Sequence, residues 1–208
     1  QKDALMDIIH YTKTFSPEGE GWRDPESELG VPVEVSADPW SGKDEEAVAF
    51  GKKVFHGKAT CQSCHPAFAT KRYQKKAMVE FGTTVTFRDN MHYAEAQTST
   101  YMVKGVDQTQ KPPDYTWDPV RTLSGSTDTK RDLYRIIGAG VNNTAMAAYK
   151  GQLEEEELWA VAYYVDHLVS LRDTPAGAKL KAHLNKATAE RKLREATRAA
   201  EALKAAAT

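Results

Sequence analysis

Three residues in one short run carry the most specific chemistry of this chain: Cys61, Cys64 and His65, in Thr60-Cys61-Gln62-Ser63-Cys64-His65. Two thiols separated by two residues and followed at once by an imidazole make the C-x-x-C-H spacing through which a c-type haem is attached. Each thiol adds to one vinyl group and becomes a thioether. The two-residue gap lets both sulfurs reach one porphyrin edge, and the adjacent imidazole then lies under the iron. Two other chemistries use the same side chains. A Cys61–Cys64 disulfide would be a redox pair, but no thioredoxin-like βαβ pattern surrounds it. Zinc would need four ligands, and His56 with His65 would complete a set with the thiols; no second C-x-x-C and no H-x-x-x-H supports that set. The run is read as the attachment site of one haem c, with His65 as an axial ligand to its iron.

The opposite face of such an iron calls for a second ligand, and a soft thioether sulfur there favours the ferrous state and raises the potential. The chain has five methionines, at 6, 78, 91, 102 and 146. Met146 follows a Gly-rich polar stretch (Gly138, Gly140, Asn142, Asn143, Thr144) and precedes Tyr149 and an apolar run at 158–165. Such a stretch lets backbone pass close to a flat ring without bulky side chains. Met91, Met102 and a bis-histidine arrangement through His92 are the alternatives.

These residues stand in three blocks that, in this order, resemble a class I, monohaem cytochrome c domain over residues 44–171. Glu45-Glu46-Ala47-Val48-Ala49-Phe50-Gly51-Lys52-Lys53-Val54-Phe55 resembles that family's first helix. Arg131-Asp132-Leu133-Tyr134-Arg135-Ile136-Ile137-Gly138-Ala139-Gly140, continuing to Met146, resembles its helix, Gly-rich loop and axial Met. Leu158-Trp159-Ala160-Val161-Ala162-Tyr163-Tyr164-Val165 resembles its last helix. The resemblance implies a mainly α, cytochrome c fold of a few helices around one covalent haem, with His65 and Met146 as axial ligands. It also implies that the first and last helices cross at Gly51, with Phe55 and Tyr164 packed in the crossing. Relatives often place an Arg near the haem propionates where Arg121 stands here, and a guanidinium suits a carboxylate. One departure is Ala147, where the family usually has Pro after the ligand Met. Another is length: His65 and Met146 are 81 positions apart, so residues 66–130 read as a long insertion.

The flanks divide the chain into residues 1–43, 44–172 and 173–208. Residues 3–15 read as a short helix with Leu5, Ile8 and Ile9 on one face. The run from Asp7 to Pro17 is similar to the end of a cytochrome c domain's last helix, which in dihaem relatives closes a preceding haem domain. That reading and an N-terminal arm docking on the single domain both stand open. Residues 16–43, with Pro17, Pro25, Pro32 and Pro39, read as an extended linker. Gln1 and the absence of a signal-peptide pattern fit a chain trimmed of a leader or belonging to a longer one.

Helix one is expected near Ser41, with Asp44 three positions on as a capping-box-like start. Gly51 inside it costs about 1 kcal/mol relative to Ala, which makes sense if Trp159 and Tyr164 approach closely there. The acidic run 154–157 reads as favourable charge at a helix N-terminus. Residues 81–87, β-branched and alternating, suggest a strand or hairpin, and residues 111–115 a loop. Residues 176–208 are Ala-, Lys-, Arg-, Glu- and Leu-rich and read as a basic helix. In it Leu193, Ala196, Ala200 and Leu203 form a stripe from which Leu180 and Leu184 drift.

Composition narrows the function classes. Lys and Arg number 28 against 29 Asp and Glu, net −1, which speaks against nucleic-acid binding through overall basicity. Mean hydropathy is −0.60. The longest strongly apolar run is far short of the about 20 residues of a transmembrane helix. No triad, P-loop or paired-carboxylate pattern suggests an enzyme. The expected function is periplasmic electron transfer, as a carrier or as a subunit of a respiratory or other redox complex, with redox proteins, including a membrane-associated complex, as partners. The alternative is a haem enzyme or gas-binding protein with an open or labile sixth position. A further reading is a subunit whose two terminal arms serve assembly.

Overall fold

The computed structural model describes residues 2–15, 33–101, 106–123, 125–141 and 144–206. They form helices α1 (Lys2–Lys13), α2 (Asp44–His56), α3 (Lys71–Phe81), α4 (Thr129–Ala139), α5 (Glu155–Ser170) and α6 (Pro175–Ala206). A two-stranded antiparallel hairpin joins β1 (Gln97–Tyr101) to β2 (Val106–Gln110), with Gln97 opposite Gln110 and Tyr101 opposite Val106. The architecture is therefore mainly helical, as expected. Residues 1–33 and 34–208 form two compact units. In the first, α1 ends with Tyr11 and Phe15 edge to face at 5.2 Å. Of the linker expected over residues 16–43, residues 16–32 lie outside the described residues.

In the second unit, α2 and α5 make the frame. A Cβ added at Gly51 would stand 1.8 Å from the Ala160 carbonyl oxygen and 2.9 Å from the Tyr164 Cβ, so only glycine lets the helices approach this closely. Phe55 meets Tyr164 edge to face at 5.5 Å in that crossing. Trp159 is not a partner of Gly51, as the sequence suggests; it packs on Tyr134 of α4 at 4.7 Å. The reason is phase: Ala160 and Tyr164 are four apart and share one face of α5, whereas Trp159 points about one residue around the helix.

The start of α2 also differs from expectation. Ser41 does not cap it. The chain turns at 40–43, closed by Lys43 N–H to the Trp40 carbonyl at 2.8 Å, with Gly42 at φ +78. That turn leaves Ser41 outside the helix, and Lys43 takes the cap position without a side-chain bond. Asp44, Glu45 and Glu46 supply the favourable negative charge of the first turn. The start of α5 follows the acidic run as expected, and the Glu157 carboxylate accepts the Glu154 N–H at 2.9 Å.

Residues 34–40, grouped by sequence with the linker, lie against α5. Trp159 Nε1 donates to Ser36 Oγ at 3.1 Å, the Tyr163 hydroxyl to Asp38 at 2.6 Å, and Trp40 Nε1 to the Glu156 carbonyl at 2.9 Å. The expected strand at 81–87 is absent from those residues. Gly82, at φ +66, instead closes α3 by donating to Met78 and Val79. Thr83 then spends its N–H on Met78 and its hydroxyl on the Gly57 carbonyl at 2.6 Å. With these groups committed to a helix end, pairing moves downstream to the polar segments of β1 and β2. Helix α3 itself, capped by Thr70 accepting from Tyr73 N–H, was not expected. In α6 Leu184 is buried, while Leu193 and Leu203 of the sequence-defined stripe are exposed.

Candidate functional site

A cavity of about 360 Å³ opens between the turn that follows α2, the start of the hairpin, α4 and α5. Cys61, Cys64 and His65 line it from one side, and Met146 also lines it. Phe55, Ile137, Val161 and Val165 supply much of the apolar wall. The sequence-predicted residues Cys61, Cys64, His65 and Met146, spread over more than eighty positions, thus meet at one space.

The turn is built tightly. Thr60 sits at φ +48, a left-handed conformation that a β-branched residue adopts only under local constraint, at about 1–3 kcal/mol. Cys61 to Ser63 then make one 3-10 turn, with Cys64 N–H and His65 N–H both directed at the Cys61 carbonyl, at 3.2 and 2.9 Å. The two thiols are not joined to each other. Burial pushes the Cys61 thiol up to about 12, against hydrogen bonding from Tyr149. Tyr149 also lines the cavity and donates its hydroxyl to the Ala59 carbonyl at 3.2 Å.

His65 is held on both ring nitrogens. Nδ1 lies 3.2 Å from the Pro113 carbonyl, which only accepts, so Nδ1 carries the proton and Nε2 is left with its lone pair. Burial pushes the imidazole down to about 4; the Pro113 carbonyl acts against this and Arg88 adds to it. The ring is therefore neutral near pH 7, the state that ligates a metal. Tyr115 stacks on it at 4.9 Å and offers its hydroxyl to Nε2 at 3.2 Å, and a metal bound at Nε2 would take that hydroxyl's place. Fixing the far nitrogen on a carbonyl is how proteins orient a ligating histidine.

The loop carrying Met146 folds back on the end of α4. Val141 N–H reaches the Met146 carbonyl at 3.1 Å, and Gly140, at φ +69, stands where a Cβ would press 2.7 Å from that same oxygen. Gly140 is thus required both by its conformation and by this close approach.

The competing ligands stand elsewhere. Met91 is buried, and its sulfur accepts from Gln74 Nε2 at 3.4 Å. His92 spends Nδ1 on the Ala67 carbonyl at 2.7 Å, and Met78 is buried in α3. Neither Met91, His92 nor Met78 lines the cavity. Met102 lies outside the described residues. His56, the remaining candidate for a zinc set, is fully buried, bonds the Lys52 carbonyl through Nδ1 and meets Tyr164 at 5.9 Å. Among the described residues no group of three His, Cys, Asp or Glu is placed to hold a metal ion. Arg121 heads a short 3-10 turn, Arg121–Leu123, and its side chain lies outside what is described.

Three residues around His65 escaped sequence reasoning: Arg88, Pro113 and Tyr115. Pro113 was visible only as part of a loop, because its contribution is a backbone carbonyl, which every residue has.

No family model matches the chain, and no curated protein matches it. Among solved structures, a reducing HAO-like protein complex of Kuenenia stuttgartiensis matches at 22% identity and a TM-score of 0.39, over 70% of this chain and 50% of that one. The chain thus spans half the length of that chain, and a likeness this loose carries no argument about function.

Proposed function

We propose that this chain carries one c-type haem, attached through Cys61 and Cys64 and ligated by His65 and Met146, and that it works as an electron-transfer protein outside the cytoplasm. The observation that carries the reading is the shared cavity: the two unjoined thiols, the imidazole and one thioether line the same largely apolar space. When bound, the haem would supply a reversible one-electron couple at its iron. The Pro113 carbonyl keeps the proton on Nδ1 of His65, so that Nε2 keeps the lone pair that would ligate the iron, a position now met by the Tyr115 hydroxyl. Phe55, Ile137, Val161 and Val165 exclude water, which keeps the surroundings low in polarity. The Val141–Met146 backbone bond holds the thioether residue at the cavity. With His65 and Met146 both holding the iron, no position would be left on it for a substrate, which favours a carrier, or a redox subunit serving protein partners, over an enzyme. No described helix is long and apolar enough to cross a membrane.

The test is direct. Intact mass should exceed the sequence mass by one haem that acid-acetone does not extract. Met146→Ala should abolish the weak sulfur-to-iron band of the ferric protein, lower the potential and open a site for carbon monoxide, while Met91→Leu leaves all three unchanged. A haem-free mass overturns the reading. Rapid carbon monoxide binding by the unaltered ferrous protein would favour a gas-binding or catalytic site instead.

A further inference from the structure

The insertion between the C-x-x-C-H turn and Met146 contains one side chain that grips the turn from outside. Arg88 donates through Nη2 to the carbonyl oxygens of Gln62 at 3.0 Å and His65 at 2.9 Å. Through Nη1 it donates to the Tyr93 carbonyl at 2.8 Å and to the Glu95 carboxylate at 3.2 Å. The Glu95 N–H takes the carbonyl between them, that of Cys64, at 2.8 Å. A short helical turn leaves its last carbonyls without intrahelical partners. Here those of Gln62, Cys64 and His65 are all answered by residues 88 and 95.

The choice of arginine is informative. Its side chain is only 16% exposed, and withdrawing a guanidinium from water is costly unless its donors are met; Nη1 and Nη2 are met, while Nε is buried without a partner among the described residues. The planar fork joins two carbonyls of the turn, both on Nη2, to the Tyr93 carbonyl and the Glu95 carboxylate on Nη1, a two-ended geometry that lysine, a point charge on a flexible stem, does not reproduce. Among the described residues Arg88 bonds no carboxylate but Glu95, so its cost is explained by what it holds.

We infer that Arg88 is a positioning residue for the axial imidazole and that its fixed positive charge raises the reduction potential of the site. This rests on the haem reading above. The fork fixes the backbone on which the His65 ring is mounted, while Pro113 fixes the ring's far nitrogen. The charge, kept from water and only partly offset by half-exposed Glu95, disfavours the more positive, oxidised iron.

The experiment is potentiometry and paramagnetic NMR on the matured full chain and three variants. Arg88→Gln should shift the midpoint potential downward and change the haem-methyl shift pattern of the ferric protein, which reports the plane of the axial imidazole. Arg88→Lys should return the potential toward the unaltered value, because the charge is restored, without returning the methyl pattern, because the fork is not. Glu95→Gln, at a side chain that does not bond the turn, should shift the potential upward and decides the matter if Arg88→Gln fails to mature. An unaltered potential and methyl pattern in Arg88→Gln, or an unaltered potential in Glu95→Gln, overturns the inference and leaves the haem reading intact. Absence of covalent haem from the unaltered protein overturns both.

Discussion

The α2–α5 crossing and the stretch from residue 83 to 118 both shape the same cavity, and they are made in opposite ways. The crossing is direct packing: backbone on backbone where Gly51 meets the Ala160 carbonyl, and ring on ring where Phe55 meets Tyr164. The insertion works mostly through polar bonds to carbonyls, among them Thr83 to Gly57, Arg88 to Gln62 and His65, and His65 to Pro113. A frame of the first kind tolerates almost no added atoms, because packed helices have nowhere to move. A clamp of the second kind spreads its hold over several bonds of modest net worth each. The frame should therefore fail at single positions, and the clamp should weaken by degrees.

The largest effect should come from Gly51→Ala. The new methyl would overlap the Ala160 carbonyl, so the helices must separate, at about 3 kcal/mol. Urea unfolding should show a lower midpoint. A loss under 1 kcal/mol would mean that the crossing can slide, and the contrast would fall.

An intermediate effect is expected at the polar strap beside the frame, where the Tyr134 hydroxyl, Lys150 and Ser36 all converge on Glu155. Hydrogen bonds from Lys150 first, then Ser36 and Tyr134, hold the Glu155 carboxyl down to about 2, below its ordinary 4.5. The folded value lies below the unfolded one, so this contribution is complete above pH 4.5 and is lost as pH falls toward 2. Glu155 is half-exposed, so solvent screening keeps its share small. Tyr134→Phe should cost about 1 kcal/mol near pH 7 and reduce the dependence of stability on pH between 4.5 and 2. Unchanged acid unfolding would remove the strap from the account.

The smallest effect should come from the clamp's outer edge. Lys181 of α6 pairs with Asp114 at 2.7 Å and lies over Trp117, tying the helix to the loop that carries Pro113. Lys181→Ala should cost about 0.5 kcal/mol, since the lysine side chain is well exposed. Amide exchange at 111–118 should quicken while that of α5 does not. Equal acceleration in both would mean that frame and clamp are one unit.

What could be read from sequence follows the same division. The motif turn, the start of α5 and the α6 helix announce themselves through residue types that few other settings use, or through composition sustained over many positions, while the crossing at Gly51 was expected from the resemblance of the blocks. The convergence of Met146 with Cys61, Cys64 and His65 on one cavity was expected from the order of the blocks. The clamp was not legible. Its acceptors are backbone carbonyls, which leave no mark on residue type, and its donor Arg88 looks like any surface arginine until its neighbours are known. The 81–87 segment misled because alternation of β-branched residues describes a face, not a partner. Gly82 and Thr83 were already bound to the end of α3. The polar hairpin at 97–110 went unseen because its pairing owes nothing to an apolar face.

The contact at Gly51 also orders events in time. Gly51 and Ala160 are more than a hundred positions apart, and closing so long a loop costs about 4 kcal/mol of chain entropy before any contact repays it. Helical proteins that fold fastest draw mainly on near neighbours; this one must wait for a distant encounter. The two cysteines lie inside that loop. Before it closes they sit on open chain with ordinary thiol reactivity, and afterwards the Cys61 thiol is desolvated and held protonated. Chemistry on the Cys61 sulfur is therefore easiest in the interval before the first and last helices of the frame meet.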